Sequence, residues 1–164
     1  MANRMSNEFL QGVRIKYRNF RGLERKINGR IMNQEGKRNF CVVLNEEQYE
    51  DLRDKGWQVK AGVDKDGEPE YTIKVSISFG GRPPMIKMRP TDKEKGIMLD
   101  EETIDQLDFV DIENADLVIR PYVWDETGKY GASAYLRSMQ VDIYVDPLEA
   151  TMGMYDGEEE MPFE

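Results

Sequence analysis

Residues 71–79 read YTIKVSISF and alternate over their whole length. Tyr71, Ile73, Val75, Ile77 and Phe79 fall on one side; Thr72, Lys74, Ser76 and Ser78 fall on the other. Period two is the mark of a strand with one face in a core and one in water. The same rule applies on both sides of this stretch. GVRIKYRNF (12–20) places Val13, Ile15 and Tyr17 on a buried face and Arg14, Lys16 and Arg18 on a basic one. NFCVVL (39–44) is a β-branched run and reads as a second strand. Asn45 then suits the cap of a helix over EEQYEDLRDK, with acids in its first turn and Gly56 at its stop. WQVKAG begins another strand, and DKDGEPE is a turn cluster.

Beyond residue 79 the signals shorten. GGRPP is a loop, and MIKMR is a short strand that Pro83, Pro84 and Pro90 assign to an edge or a loop margin. TDKEKG is a loop, and DEETIDQLD reads as a short acidic helix opening at Asp100. ADLVIRPYVWD is a strand carrying an edge signal at Pro121. ETGKYG is a hairpin turn, and SAYLRSMQVDIYV is the return strand, with a bulge expected near 137–139. Six to eight short strands and two small helices favour a barrel or sandwich over a helix bundle. From about Asp146 onward, acids, Gly and Met follow no period, which predicts a disordered tail.

Charge is distributed unevenly. The 164 residues carry a net −9, yet residues 1–40 hold +7. Residues 41–90 hold −1, residues 91–145 hold −8, and residues 146–164 hold −7 with no Lys or Arg at all. A basic head with an acidic arm points to nucleic-acid contact. Cys41 is the only cysteine, so no intrachain disulfide forms and no zinc site rests on paired cysteines. The chain has no histidine, which removes the commonest general base and metal ligand. There is no phosphate-cradling glycine loop, so a non-catalytic protein without metal or cofactor is expected. The polar N-terminus and the lack of an apolar run of membrane length suggest a cytoplasmic protein with no membrane contact.

Five features suit binding. Arg14, Lys16, Arg18 and Arg21 interleave with Tyr17 and Phe20, supplying cations for a backbone and flat faces for bases. GKRNF (36–40) offers Lys37, Arg38 and Asn39 to phosphates and Phe40 to a base, although Phe40 equally begins a buried strand. Arg82, Lys87 and Arg89 line one rim around the GGRPP loop, or only keep that connection soluble. RPYVWDETGKYGASAYLRS holds Tyr122, Trp124, Tyr130 and Tyr135 with Arg120, Lys129 and Arg137, a hairpin that can fold over a strand of nucleic acid. Core packing is the competing assignment for Trp124 and Tyr135. The ending GEEEMPFE sets Met161, Pro162 and Phe163 in the acids Glu158, Glu159 and Glu160, a hydrophobic anchor steered by charge toward a basic partner.

Together, RNFCVVL, DKGWQVK, FGGRPP and ENADLVIRPY, in order between about Val13 and Pro147, resemble a family of bacteriophage single-stranded DNA-binding proteins with an OB fold. The resemblance implies a mainly β chain: a five-stranded OB-type barrel with extra strands and two short helices over residues 1–146, followed by an acidic tail over 147–164. It implies sequence-tolerant binding of single-stranded DNA in replication or recombination, with Tyr17, Arg38, Phe40, Arg82, Tyr122 and Trp124 at motif positions. The tail separately resembles those of bacterial single-stranded DNA-binding proteins, which recruit replication and recombination enzymes. It departs from them in placing Glu164 after Phe163. A DNA-mimic inhibitor and an OB-type protein-interaction module are the competing classes, and homo-oligomerisation is left open.

Overall fold

The computed structural model describes residues 5–91, 95–126 and 129–145. The expected acidic tail, the tip of the 126–131 turn and the side chains of Lys129 and Tyr130 lie outside the described residues. In chain order the elements are β1 Glu8–Asn19, β2 Arg25–Ile27, β3 Arg30–Asn33, β4 Arg38–Leu44, α1 Glu46–Asp54, β5 Val59–Val63, β6 Pro69–Ile77, β7 Met85–Pro90 and β8 Ile97–Leu99. A 3₁₀ turn Ile104–Asp108, β9 Asp111–Glu126 and β10 Lys129–Tyr144 complete them.

Eight strands form one sheet in the order β5-β6-β4-β1-β9-β10-β7-β8. A second, parallel pairing joins β6 to β10, matching Val75 to Ala134 and Ser76 to Tyr135. That pairing closes β6-β4-β1-β9-β10 into a five-stranded ring, an OB-like arrangement, with β5 and β7–β8 extending beyond it. The alternation of β6 orders its core: Ile73, Val75 and Ile77 are buried, and Lys74 is exposed. Phe40, Val42 and Leu44 of β4 and Ala132, Ala134 and Leu136 of β10 join them inside.

The mainly β expectation holds, and the structure refines it. Ten strands are present among the described residues, because β2 and β3 form a separate hairpin that the sequence reading passed over. Helix α1 is built as its cap predicts. Asn45 accepts from the Gln48 N–H at 2.7 Å, and the Gln48 side chain accepts from the Asn45 N–H at 2.9 Å. The second helix is a single 3₁₀ turn, entered where Asp100 accepts from the backbone N–H groups of Glu102 and Thr103.

The edge assignment for residues 85–90 is corrected: β7 lies between β10 and β8. Its prolines stand at or before the ends of the strand, so the ladder loses no interior donor. Pro121 keeps its edge meaning locally. The pairing of β1 with β9 ends at Ile119, and Pro121 lies two residues further on, where β9 pairs with β10. The expected bulge in β10 is present, as a register shift between Leu136 and Ser138. No helix among the described residues is long and apolar enough to cross a membrane.

Candidate nucleic-acid interface

Side chains opposed across a ladder share a face of the sheet. On the outer face, Arg14 stands opposite Val43, Val43 opposite Thr72, and Thr72 opposite Lys60. The next row is Lys16, Cys41 and Lys74. The next is Asn39, Ser76, Tyr135 and Arg120, carried across the closure of the ring. Further along β9 and β10, Tyr122 faces Ser133, and Trp124 faces Gly131. One surface therefore grades from cationic on β1, β5 and β6 to aromatic on β9 and β10. Two depressions run along it and meet at Lys74 and Ser76. One is flanked by Lys37, Arg38 and Phe79, the other by Cys41, Lys60 and Ser133.

The aromatic end is organised. Tyr122 is 58% exposed and meets Tyr135 edge to face, with ring centroids 6.0 Å apart. The Arg120 guanidinium lies 5.2 Å from the centre of the Tyr135 ring. Trp124 lies against β10 at Gly131, where an added Cβ would sit 2.9 Å from Trp124 Cζ2. Gly131 thus leaves room for the indole to lie on the strand.

The expected basic residues divide. Arg14 is exposed on the outer face, and Lys16 is there too, paired with Glu70. That contact raises the Lys16 pKa above its ordinary value and lowers that of Glu70. Tyr17, which alternation groups with Val13 and Ile15 and which was also offered to bases, is 53% exposed. Its φ of 54° and the register shift after Lys16 turn the strand over, and its hydroxyl donates to Glu70 Oε1 at 3.0 Å. Arg18 serves packing, since its Nη1 donates to the carbonyls of Leu107 and Val110 at 2.8 and 2.7 Å. Arg21 joins Asp108 at 2.8 Å and covers the Phe109 ring. Arg38 lines the groove but is restrained. It donates to the Phe20 carbonyl at 2.9 Å and lies 3.6 Å from both Glu101 and Asp105.

Phe20 and Phe40 are corrected. Both are completely buried and stack on one another at 5.2 Å, so neither offers a ring to a base. Phe40 alternates inward with Val42 and Leu44 on β4, and Phe20 follows the irregularity at the end of β1 that also turns Tyr17 outward. Arg82 is exposed on its loop. Lys87 lies apart from the groove, in a depression shared with Phe9, Met85 and Met98. Arg89 pairs with Asp142 at 3.0 Å. Arg137 is half-buried at the β10 bulge.

Lys60, Lys74 and Ser76 lie in the groove without having been singled out from the sequence. The signal for Lys74 and Ser76 is the polar side of the alternating strand at residues 71–79, which is the side that faces the groove. Cys41, between Lys16 and Lys74, has its thiol pKa pushed up chiefly by burial, which keeps a negative thiolate off this floor.

A closed OB-like ring with a groove that is cationic at one end and aromatic at the other defines a nucleic-acid-binding class of module. The chain belongs to the family described as "Putative phage ssDNA-binding domain", whose model matches residues 1–157. Two solved structures of the single-stranded DNA-binding protein from bacteriophage Enc34 are similar to it. The C-terminally truncated form has a TM-score of 0.50 at 15% identity, covering 86% of this chain and 87% of that one. The form in complex with single-stranded DNA has a TM-score of 0.50 at 14% identity, covering 86% and 88%. At these identities the likeness is one of fold. No curated protein matches the chain.

Proposed function

We propose that the chain coats single-stranded DNA, without chemistry and with little sequence preference, through the outer groove of the ring. The observation that carries this reading is the single surface on which Lys74, Lys60 and Arg14 continue into Tyr135, Tyr122 and Trp124. Lysines neutralise phosphates, and every base has a π-face on which to stack, so such a surface tolerates any sequence. Family membership supports the same reading, as does the similar fold of a protein solved with single-stranded DNA.

In this reading the protein serves phage replication or recombination in the host cytoplasm. The acidic residues 147–164 recruit enzymes of those processes, with Phe163 as the apolar anchor among Glu158, Glu159 and Glu160. Residues 147–164 carry −6 and also compete with DNA for the basic groove. The test titrates the full chain, and a chain ending at Asp146, against labelled poly-dT, a duplex and an RNA of equal length at two salt concentrations. Tight, salt-sensitive binding to the single DNA strand, strengthened at low salt by removing the tail, is expected. No binding to any oligonucleotide at low salt would overturn the coating function. Equal low-salt affinity of the two chains would overturn the competition.

A further inference from the structure

Ladder pairs also order the outer face of the sheet away from the groove. One row runs Phe9, Val118, Ser138 and Met85 across β1, β9, β10 and β7. The next runs Asp116, Gln140, Lys87 and Met98 across β9, β10, β7 and β8. Between these rows Leu117, Met139 and Ile86 point into the core. Phe9, Met85 and Met98 are 60, 59 and 57% exposed, and they share one depression with Lys87, Asp116 and Val118. Large apolar side chains gathered on one exposed sheet face mark an interaction surface, unlike the same residues scattered singly.

The charges indicate the occupant. The two rows hold one cation and one acid, which cancel. In the row beyond, Arg89 and Asp142 are spent on each other at 3.0 Å. A phosphate backbone or the acidic residues 147–164 need a surplus of cations, and this face has none. Lys87 makes no salt bridge among the described residues. Asp116 accepts from the Gly12 N–H at 2.7 Å and from Asn114 Nδ2 at 3.4 Å, both on Oδ1. A second copy of the chain needs a surface that complements itself about a two-fold axis. This face does so. β10 is the middle strand of β1-β9-β10-β7-β8, so an axis laid along β10 between two stacked faces exchanges β9 with β7 and β1 with β8. Asp116 of each copy then meets Lys87 of the other, and Val118 of each meets Met85. Ser138 and Gln140 lie on the axis, and Met98 is carried over β1 beside Phe9. An axis laid across the strands along the charged row instead stacks Asp116 on Asp116 and Lys87 on Lys87. For a chain of net −9, a face without net charge is also where two copies meet with least repulsion.

We propose that the outer face of β9, β10 and β7 joins two copies of the chain in a symmetric, face-to-face dimer, with two Lys87–Asp116 ion pairs flanking Val118–Met85 contacts. Sheets stacked in this way lie about 10 Å apart with their strands nearly aligned, a gap that facing side chains fill. Lys60 and Lys74 of the groove are on β5 and β6, which this interface does not include. The dimer is therefore independent of the DNA reading and leaves the cationic end of both grooves open.

The test is sedimentation equilibrium of the full chain, without DNA, over a range of concentrations. The wild type should reach the mass of two copies. Lys87→Glu and Asp116→Lys, each alone, should raise the dimer dissociation constant about a hundredfold, since two like-charged contacts replace two ion pairs. An equal mixture of the two variants should dimerise again, because both contacts of the mixed pair once more join opposite charges. Circular dichroism on each variant checks the fold. If Asp116→Lys does not fold, Met85→Glu at its exposed position serves as the second disruption and should also weaken the dimer. A wild type that stays a single copy at every soluble concentration overturns the proposal. So does a dimer that Lys87→Glu and Met85→Glu leave intact, which would place the contact on another face. So does a mixture of folded Lys87→Glu and Asp116→Lys chains that fails to reassociate.

Discussion

Two aromatic clusters in this protein look alike in sequence and differ in everything else. Phe20 and Phe40 sit beside Arg21 and Arg38, in the same Arg-aromatic idiom as Arg120 with Tyr122 and Tyr135. The first pair is sealed in the ring and stacked at 5.2 Å. The second crosses β9 and β10 on the outer surface, edge to face at 6.0 Å. Phenylalanine can be sealed at no polar cost. Tyrosine carries a hydroxyl that needs a partner or water, and so remains at a boundary. The distinction between a core aromatic and an exposed one lies in inward or outward register, which neighbouring arginines do not report.

The comparison can be broken most forcefully at Phe40. Phe40→Ala should cost about 3–5 kcal/mol of stability in a denaturant titration, because the void opens where the ring packs on Phe20. Under conditions where that variant remains folded, its affinity for single-stranded DNA should be near wild type. Tyr135→Ala should behave oppositely. It should lose about 1–3 kcal/mol of oligonucleotide binding with the denaturation midpoint little changed, and Tyr122→Ala should fall in the same range.

Lys74→Ser sharpens the cationic end of the same surface. The salt slope of poly-dT binding should become shallower by about 0.7, with no change in thermal melting. Gly131→Ala should displace the Trp124 ring from β10, seen as a shift in tryptophan emission and a smaller loss of binding than Tyr135→Ala.

The smallest effect is the pH response of the Lys16–Glu70 pair. The Glu70 pKa is lowered in the folded protein. Its contribution to stability is therefore fully present above the ordinary carboxylate pKa and is lost as pH falls through the lowered value. Glu70→Gln should lower the melting temperature slightly near neutrality, and the difference from wild type should vanish as pH falls through the lowered Glu70 pKa.

Much of the architecture was legible. Strand β6, strand β4, the capped helix α1 and the bulge in β10 follow from alternation, from Asn45 with Gly56, and from the broken period around Arg137. The closure of the ring was not, because the β6–β10 pairing joins residues almost sixty positions apart and leaves no local pattern. The β2–β3 hairpin did leave one, since Asn28-Gly29 between Lys26-Ile27 and Arg30-Ile31 is a strong turn signal. The facing of Tyr17 was not legible from period two alone: strict alternation assumes no bulge, and its left-handed φ turns the ring outward.

Photo-crosslinking tests the central claim most directly. A thymidine oligonucleotide carrying a photoreactive base would be irradiated with the full chain and the adducts mapped by mass spectrometry. Adducts on Tyr122, Trp124 or Tyr135 are predicted. Adducts confined to the opposite depression, at Phe9, Met85 or Met98, or an absence of adducts under conditions where the oligonucleotide is bound, would contradict the assignment of the groove.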